Sequence, residues 1–331
     1  EEITIDSQKL EEKIQAINQN TKTAFLSKKQ KKTVEKLEKE QLPKLQEYEK
    51  HLENLGDRNS YSKIDTDATF MRMKEDHMKN GQLKAAYNVQ ISTENQIITH
   101  FSVHQKSTDF TTLESHLEGF KNAYDKTSKQ IIADAGYGSE ENYQMLEQQQ
   151  MEFFIPYNMY RMEQKRKHKN NLFHTQNLYH NIELDFLVCP MGQRMEKIYT
   201  KESKTTTGFL QQHSVYQAQN CQGCPMRGQC FNAKGNRRIE INHNLQRLKA
   251  KARENLENKE GKEIYAKRCI EPEPVFGNIK QNKHFKRFSL RKLTKINIEF
   301  GLVAIAHNFA KWIEKIRLLG FIQNHRVIEC F

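Results

Sequence analysis

Two acidic residues far apart in the chain, Asp134 and Glu273, stand at points where local structure should present a carboxylate rather than bury it. Glu273 lies between Pro272 and Pro274 in YAKRCIEPEPVFGNIK, residues 265–280. Proline is tolerated in the first turn of a helix and disfavoured beyond it. The pattern therefore predicts Pro274 as the first helical residue and Glu273 as the entering or capping one, facing unpaired amides. Phe276 and Lys280 follow at spacings of three and seven, close to the glutamate's face if the helix runs on to Lys283, and Tyr265 and Arg268 close the block upstream. Asp134 ends a short apolar run from Gln130 to Ala133 that predicts a buried strand, followed by a glycine turn and a helix capped by Ser139. Glu140 and Glu141 fall in that helix's first turn, where the dipole favours negative charge. A carboxylate at a strand tip and another at a helix entrance, in a basic chain, suit divalent cations, which take oxygen ligands and neutralise charge in phosphoryl transfer. Taken singly, each acid also reads as a cap or a surface group.

A second constellation is built of sulfur. Of the six cysteines, four fall in one polar segment, Cys189 and then Cys221, Cys224 and Cys230 in CQGCPMRGQC. Four thiolates in a segment too polar to fold on its own core are what a structural Zn2+ would organise, with His213 able to replace one cysteine; the other reading is free thiols. Cys269 and Cys330 stand apart and read as incidental.

The elements that must hold these residues follow from the pattern of the chain. Residues 1–55 are highly charged helix, with Leu10, Ile14 and Ile17 on one stripe and Leu45, Tyr48, Leu52 and Leu55 on another, a coiled-coil spacing kinked at Pro43. They predict a helical hairpin joined near residues 19–31. From Gly56 a polar, irregular connection runs to Asn80-Gly81, followed by strands at 83–93 and 96–105 with a tight turn at Glu94-Asn95. Ser107, Thr108 or Asp109 can cap a helix carrying Leu113, Leu117 and Phe120, and residues 151–158 read as a further strand. Residues 171–243 read as strand-poor and polar. The last apolar stretch predicts a packed helix with Phe300, Val303, Ala304, His307 and Trp312 on its buried side, His307 as a core histidine and Trp312 as an anchor. The result is an α/β chain with domains at 1–56, 57–170, 171–243 and 244–331.

Composition limits the partners. Lys and Arg outnumber Asp and Glu by 53 to 41, a formal charge of +12, and the excess is clustered at 28–32, 165–169 and 283–292. Such clusters favour nucleic acid. No apolar run approaches the roughly 18 residues of a membrane helix, and the first residues lack the basic and apolar regions of a signal peptide, so a cytoplasmic protein is expected. That setting argues against a disulfide scaffold.

ADAGYGSEEN at 133–142, and the Y-x2-R-x4-E-x6-K pattern written by Tyr265, Arg268, Glu273 and Lys280, resemble the second-aspartate and glutamate motifs of bacterial insertion-sequence transposases of the DDE class. DATFMRMKEDHMKNGQLKAAYNVQI and GLVAIAHNFAKW resemble further blocks of that family, in the same order, over roughly residues 57–315. The resemblance implies a ribonuclease H-like mixed sheet with flanking helices, with 83–93, 96–105 and 129–134 as its second, third and fourth strands. It implies an amino-terminal helical hairpin or coiled coil before the second strand and a small cysteine-bearing insertion later. It further implies two Mg2+ ions held by three acids, of which Asp134 is the second and Glu273 the third. Tyr265, Arg268 and Lys280 become candidates for the DNA backbone near the scissile phosphate, joined by Lys283, Lys286 and Arg287 of KHFKRFSLRK. Double-stranded DNA is the implied partner, a homo-oligomer the implied working form, and the bacterial nucleoid the implied setting. The first acid of the family is not found on a strand before residue 83, and Asp65 and Asp67 are the best substitutes. An amino-terminally shortened transposase is one expectation; a non-enzymatic DNA-binding remnant is the other.

Overall fold

The computed structural model describes residues 6–20, 27–73 and 81–318. The chain divides into two compact units, one of Glu1–Asn88, Gln105–Ser107 and Phe288–Ile298, the other of Val89–His104, Thr108–Arg287 and Glu299–Phe331.

In the first unit, helices α1 (Ser7–Asn20), α2 (Lys28–Lys36) and α3 (Leu42–Leu55) follow the charged amino-terminal sequence. Ser27 starts α2 with a capping box closed by Gln30. Residues Leu37–Gln41 are π-helical, just before Pro43. Proline has no N–H to return to the preceding turn, so the ladder slips there, which is the expected kink. The backbone N–H of Ser7 donates to Glu49 Oε1 at 2.6 Å, drawing α1 onto α3. Ile14 and Leu42 are buried, whereas Tyr48 and Leu52 of the expected seam face solvent. The connection after Gly56 contains a strand, β1 (Thr69–Arg72), antiparallel to β2 (Leu83–Ala86). The predicted strand at 83–93 is thus divided at Tyr87. Residues 74–80 of that connection, and Cys330, lie outside the described residues.

The second unit opens with β3 (Asn88–Glu94) and β4 (Ile97–His104), paired through a two-residue turn. Asn95 and Gln96 both have positive φ, 53° and 62°, as the twist of a tight hairpin demands. The turn sits one residue later than Glu94-Asn95. A 3-10 turn at Asp109–Thr111 leads to α4 (Leu113–Tyr124), then β5 (Gln130–Ile132), α5 (Glu140–Gln148) and β6 (Glu152–Phe154), which runs parallel to β5 with Ile131 beside Phe153. Ser139 Oγ accepts from Asn142 N at 3.2 Å, the expected cap. Short helices α6 (Tyr160–Glu163) and α7 (Arg166–Lys169) follow.

Residues 171–243 are not strand-poor. They form a five-stranded antiparallel sheet from β7 (Tyr179–Asn181), β8 (Phe186–Val188), β9 (Arg194–Lys204), β10 (Leu210–Ala218) and β11 (Arg238–Ile241), in the order β11-β10-β9-β8-β7, with a one-turn helix α8 (Arg227–Cys230) between β10 and β11. Leu187, Met195, Tyr216, Ala218 and Ile239 make a core cluster in this sheet. Met195 is the one fully buried residue of β9, so the apolar alternation that marks a strand is almost absent from its sequence.

Helices α9 (His243–Glu257), α10 (Lys259–Ala266), α11 (Pro272–Gly277) and α12 (Leu293–Leu318) complete the chain. Leu248 and Ala252 of α9 join Leu113, Tyr143, Leu146, Phe153 and Ile155 in the main core. In α12, Phe300, Ala304 and His307 are buried as expected, together with Ile296, while Val303 is only partly buried. Trp312 is 58% exposed, on a second apolar side with Leu302, Ile305 and Phe309, so it is not an anchor. The class is mixed α/β. Among the described residues the hydrogen-bonded ladders form four separate sheets, β1–β2, β3–β4, β5–β6 and the five-stranded one.

Candidate active site

Asp134 follows β5 in extended backbone and starts a 3-10 turn, Ala135–Tyr137, with its Oδ1 accepting from Ala135 N at 2.7 Å. The turn is held in place by two neighbours. Tyr137 OH donates to Gln90 Oε1 on β3, and Gln90 Nε2 donates to Asp109 Oδ1 at 2.9 Å. Burial, then the charges of Asp109 and Asp134, push the Tyr137 phenol well above its ordinary range. Gly138 allows a close approach: a Cβ there would lie 2.4 Å from Pro156 O. The glycine turn therefore fixes Asp134 against the exit of β6, while the carboxylate itself remains 58% exposed.

Glu273 stands in the first turn of α11, but the helix begins at Pro272 with Glu271 as its cap, not at Pro274. Both prolines fit within the opening turn, so sequence spacing alone does not choose between them. The helix continues as a π-helical segment, Asn278–Asn282, to Lys283. Lys280 lies in this widened segment, its ammonium 5.5 Å from the Phe276 ring. The approach to Glu273 is tied to the β3–β4 turn: Gln96 N donates to Glu271 Oε2 at 2.8 Å and Gln96 Nε2 to Ile270 O at 2.9 Å. His307 lies 2.9 Å through Nε2 from Gln96 O and 3.2 Å through Nδ1 from Asn278 Nδ2. A carbonyl can only accept and an amide N–H can only donate, which assigns the proton to Nε2. His307 is a buried structural histidine with two partners.

Arg268 joins the two acids. It sits on a 3-10 segment, Lys267–Ile270, with Nη2 2.9 Å from Glu273 Oε1 and Nη1 3.7 Å from Asp134 Oδ2. One guanidinium thus spans carboxylates 139 positions apart in sequence. The Arg268 side chain is only 14% exposed, its Nε has no hydrogen-bond partner, and the half-buried Tyr265 ring lies 5.6 Å from its guanidinium carbon. Lys280, Lys283, Lys286 and Arg287 are exposed on the stretch that follows. Two outward-facing carboxylates held around one cation, with more cations beside them, form an arrangement that can exchange the guanidinium for a metal ion or for phosphate.

Asp65 and Asp67 are engaged differently. Asp65 Oδ1 accepts from Lys292 N at 3.2 Å and Asp67 Oδ2 from Leu293 N at 2.9 Å, so both carboxylates cap the amino terminus of α12. Asp65 Oδ2 also accepts from Tyr87 OH at 2.8 Å.

Residues 188–313 match the family model of the transposase DDE domain. Over that stretch the chain is similar to a transposase DDE domain, which supports an insertion-sequence DDE transposase. The match takes in the cysteine loop, the Tyr265–Lys280 block and most of α12, and Asp134 lies upstream of it. No curated protein and no solved structure matches the chain.

The four cysteines gather around one place. Cys189, Cys221, Cys224 and Cys230 line one small cavity, whereas His213 lies on β10 opposite Lys201 and is not among the lining residues. Cys269 is exposed. As placed, no three His, Cys, Asp or Glu side chains among the described residues share the geometry of a metal site. Sequence reasoning did not find Gln96, Glu271, Gln90 or Asp109, which position the two acids. Glutamine carries no local signature, and Asp109 reads as a helix cap. The one available signal was His307-Asn308 within an apolar helix, since a polar pair at such positions must find partners. Asn308 indeed bonds both the N–H and the C=O of Ile98, each at 2.8 Å.

Proposed function

We propose that this chain is a transposase that cleaves DNA strands at transposon ends and transfers them to a target, with Asp134 and Glu273 as ligands of the Mg2+ ions that the chemistry uses. The single observation that carries the reading is Arg268 bridging both carboxylates, which brings the acids within reach of a common cation. Their oxygens are the hard donors that Mg2+ takes, and both are about half exposed, so the donor set fits the ion. Bound there, Mg2+ would activate water or a 3′ hydroxyl and neutralise charge on the phosphate. The chain's own part is positioning. The Gly138 turn and the Gln90–Asp109 pair fix Asp134; Gln96 and His307 fix the approach to Glu273. Tyr265 supports the Arg268 guanidinium, which would offer its donors to a phosphate oxygen. Lys280, Lys283, Lys286 and Arg287 hold the backbone on either side of the scissile bond, a contact that weakens with salt.

A ribonuclease H-like frame belongs to the same reading. The order of hairpin β3–β4, helix α4, strand β5 just before Asp134 and parallel β6 is what supports it, from the frame's second strand onward. The first acid of the family is not among the residues that Arg268 gathers. That observation favours a second reading, in which the chain binds DNA without cleaving it, since Arg268 already neutralises the two acids present. Nicking of supercoiled plasmid carrying the transposon ends, with Mg2+ or Mn2+, separates the two. Cleavage that falls on the order of 100-fold or more in Asp134→Ala and in Glu273→Ala is the expected result. DNA binding with no metal-dependent nicking by the unaltered chain would establish the second reading.

A further inference from the structure

The cysteine-bearing loop between β10 and β11 has no core of its own. From Gln219 to Asn236 no residue is buried, yet the loop has a defined path. Two arginines hold it. Arg227 Nη1 donates to Cys221 O at 2.7 Å, and Arg227 Nη2 reaches Ala233 O at 2.6 Å, Lys234 O at 2.7 Å and Gly235 O at 3.0 Å, closing the loop on itself. Arg237 is only 8% exposed, and its Nη2 donates to Phe173 O at 2.6 Å. Two further donors go to sulfur: Nη1 lies 3.0 Å from Cys230 Sγ, and its backbone N lies 3.4 Å from Cys221 Sγ. Arg237 forms no ion pair with a carboxylate among the described residues, although a buried guanidinium requires an anion nearby. The sulfurs are the groups that can become that anion.

The cavity these sulfurs line measures about 30 Å³, the room of a single ion or water. Two turns present them. Cys189 begins a turn closed by Cys189 N to Gln193 O and Gly192 N to Cys189 O, both 2.9 Å, with Gly192 at φ 78°. Cys221 and Cys224 flank a second turn with Gly223 at φ 66°, and Cys230 returns from α8. None of the four is in a disulfide. We propose that Cys189, Cys221, Cys224 and Cys230 bind one structural Zn2+ as a four-thiolate site, with Arg237 offsetting part of its negative charge. Rotation about a Cα–Cβ bond moves a sulfur by about 3 Å, which brings sulfurs on one small cavity to the roughly 2.3 Å bond that zinc requires. Each thiol gives its proton to solvent as it binds, so up to four protons leave for one ion gained. Soft thiolates select Zn2+ over Mg2+, which keeps this site separate from the carboxylates. The ion fixes the loop to the end of the five-stranded sheet in place of an apolar core.

The test is elemental analysis of the full chain, purified reduced and without chelator, together with Co2+ titration of the metal-free chain. One zinc per chain is expected, displaced by a thiol-modifying reagent, and Co2+ should give the intense absorption of a four-coordinate thiolate site. Cys224→Ser should lower both the zinc content and the cobalt absorption, while Cys269→Ser leaves both unchanged. Arg237→Gln should keep the one-to-one stoichiometry but weaken affinity by roughly 10- to 100-fold. A trace of zinc well below one per chain, with only the weak absorption of six-coordinate Co2+, would overturn the proposal even if the serine variants do not fold. The readout involves no DNA cleavage, so it stands or fails apart from the catalytic reading.

Discussion

The molecule holds two pairs of acids that are hard to tell apart in the sequence and opposite in the structure. Asp65 and Asp67 give their oxygens to backbone amides at the start of α12, and Asp65, only 8% exposed, also takes the Tyr87 hydroxyl. Asp134 gives Oδ1 to the Ala135 amide and keeps Oδ2 beside the Arg268 guanidinium, Glu273 gives Oε1 to the same guanidinium, and about half of each side chain is left to solvent. A carboxylate whose oxygens are occupied by backbone cannot also serve as a metal ligand without undoing a helix terminus. A carboxylate that keeps an oxygen on a side-chain cation can. The difference separates acids that support the fold from acids available for chemistry.

The largest effect should follow from removing a supporting acid. Asp65→Ala takes away a cap and strands the Tyr87 hydroxyl, at a cost of about 3 kcal/mol. Thermal or urea unfolding should show that loss while DNA cleavage per folded molecule is unchanged. Full stability with cleavage lost would move Asp65 into the chemical set.

Buried supporting groups should also show in the pH dependence. His116 lies between Ser92 Oγ and Ser102 Oγ, 2.7 Å from each, and Ser102 also bonds His104. Burial, then the neighbouring His100 and His104, push the His116 imidazole down to about 3. Burial lowers His100 and His104 in the same direction, against a smaller opposing effect of Asp109 on His104. An unfolded chain takes up these protons near pH 6.5 and the folded one does not, so stability falls as pH falls below about 6.5. His116 alone accounts for a loss of about 2 kcal/mol by about pH 5. Urea titrations at several pH values should show this slope, and His116→Gln should flatten it. An unchanged slope would mean that His116 is protonated in the folded chain.

A smaller effect is expected where the acids are free. In Arg268→Gln the carboxylates lose their competing cation, so Mn2+ should bind about 10-fold more tightly, a change of about 1.4 kcal/mol, while DNA binding weakens. Calorimetry of each variant gives both numbers. Weaker Mn2+ binding would show that Arg268 builds the site rather than competing for it.

What the sequence disclosed depended on how one-sided each element is. Ser139 as a cap, the hairpin before residue 105 and Asp134 at a strand tip were legible because capping and turn chemistry are local. The five-stranded sheet was not, since β9 exposes charge on both sides and buries only Met195 deeply. Trp312 was misplaced for the opposite reason: α12 is apolar on two sides, so periodicity could not tell which is packed. Asp134 and Glu273 were legible as a pair, but Arg268 between them was known only as a member of the Tyr265–Lys280 spacing. Contacts across 139 positions are set by packing, not by local pattern.

Electron paramagnetic resonance of Mn2+ added to the full chain tests the shared site most directly. Mn2+ should bind the unaltered protein and Asp65→Ala alike, and binding should be lost in both Asp134→Ala and Glu273→Ala. Undiminished binding in those two variants would contradict the assignment of Asp134 and Glu273 as ligands of a common ion.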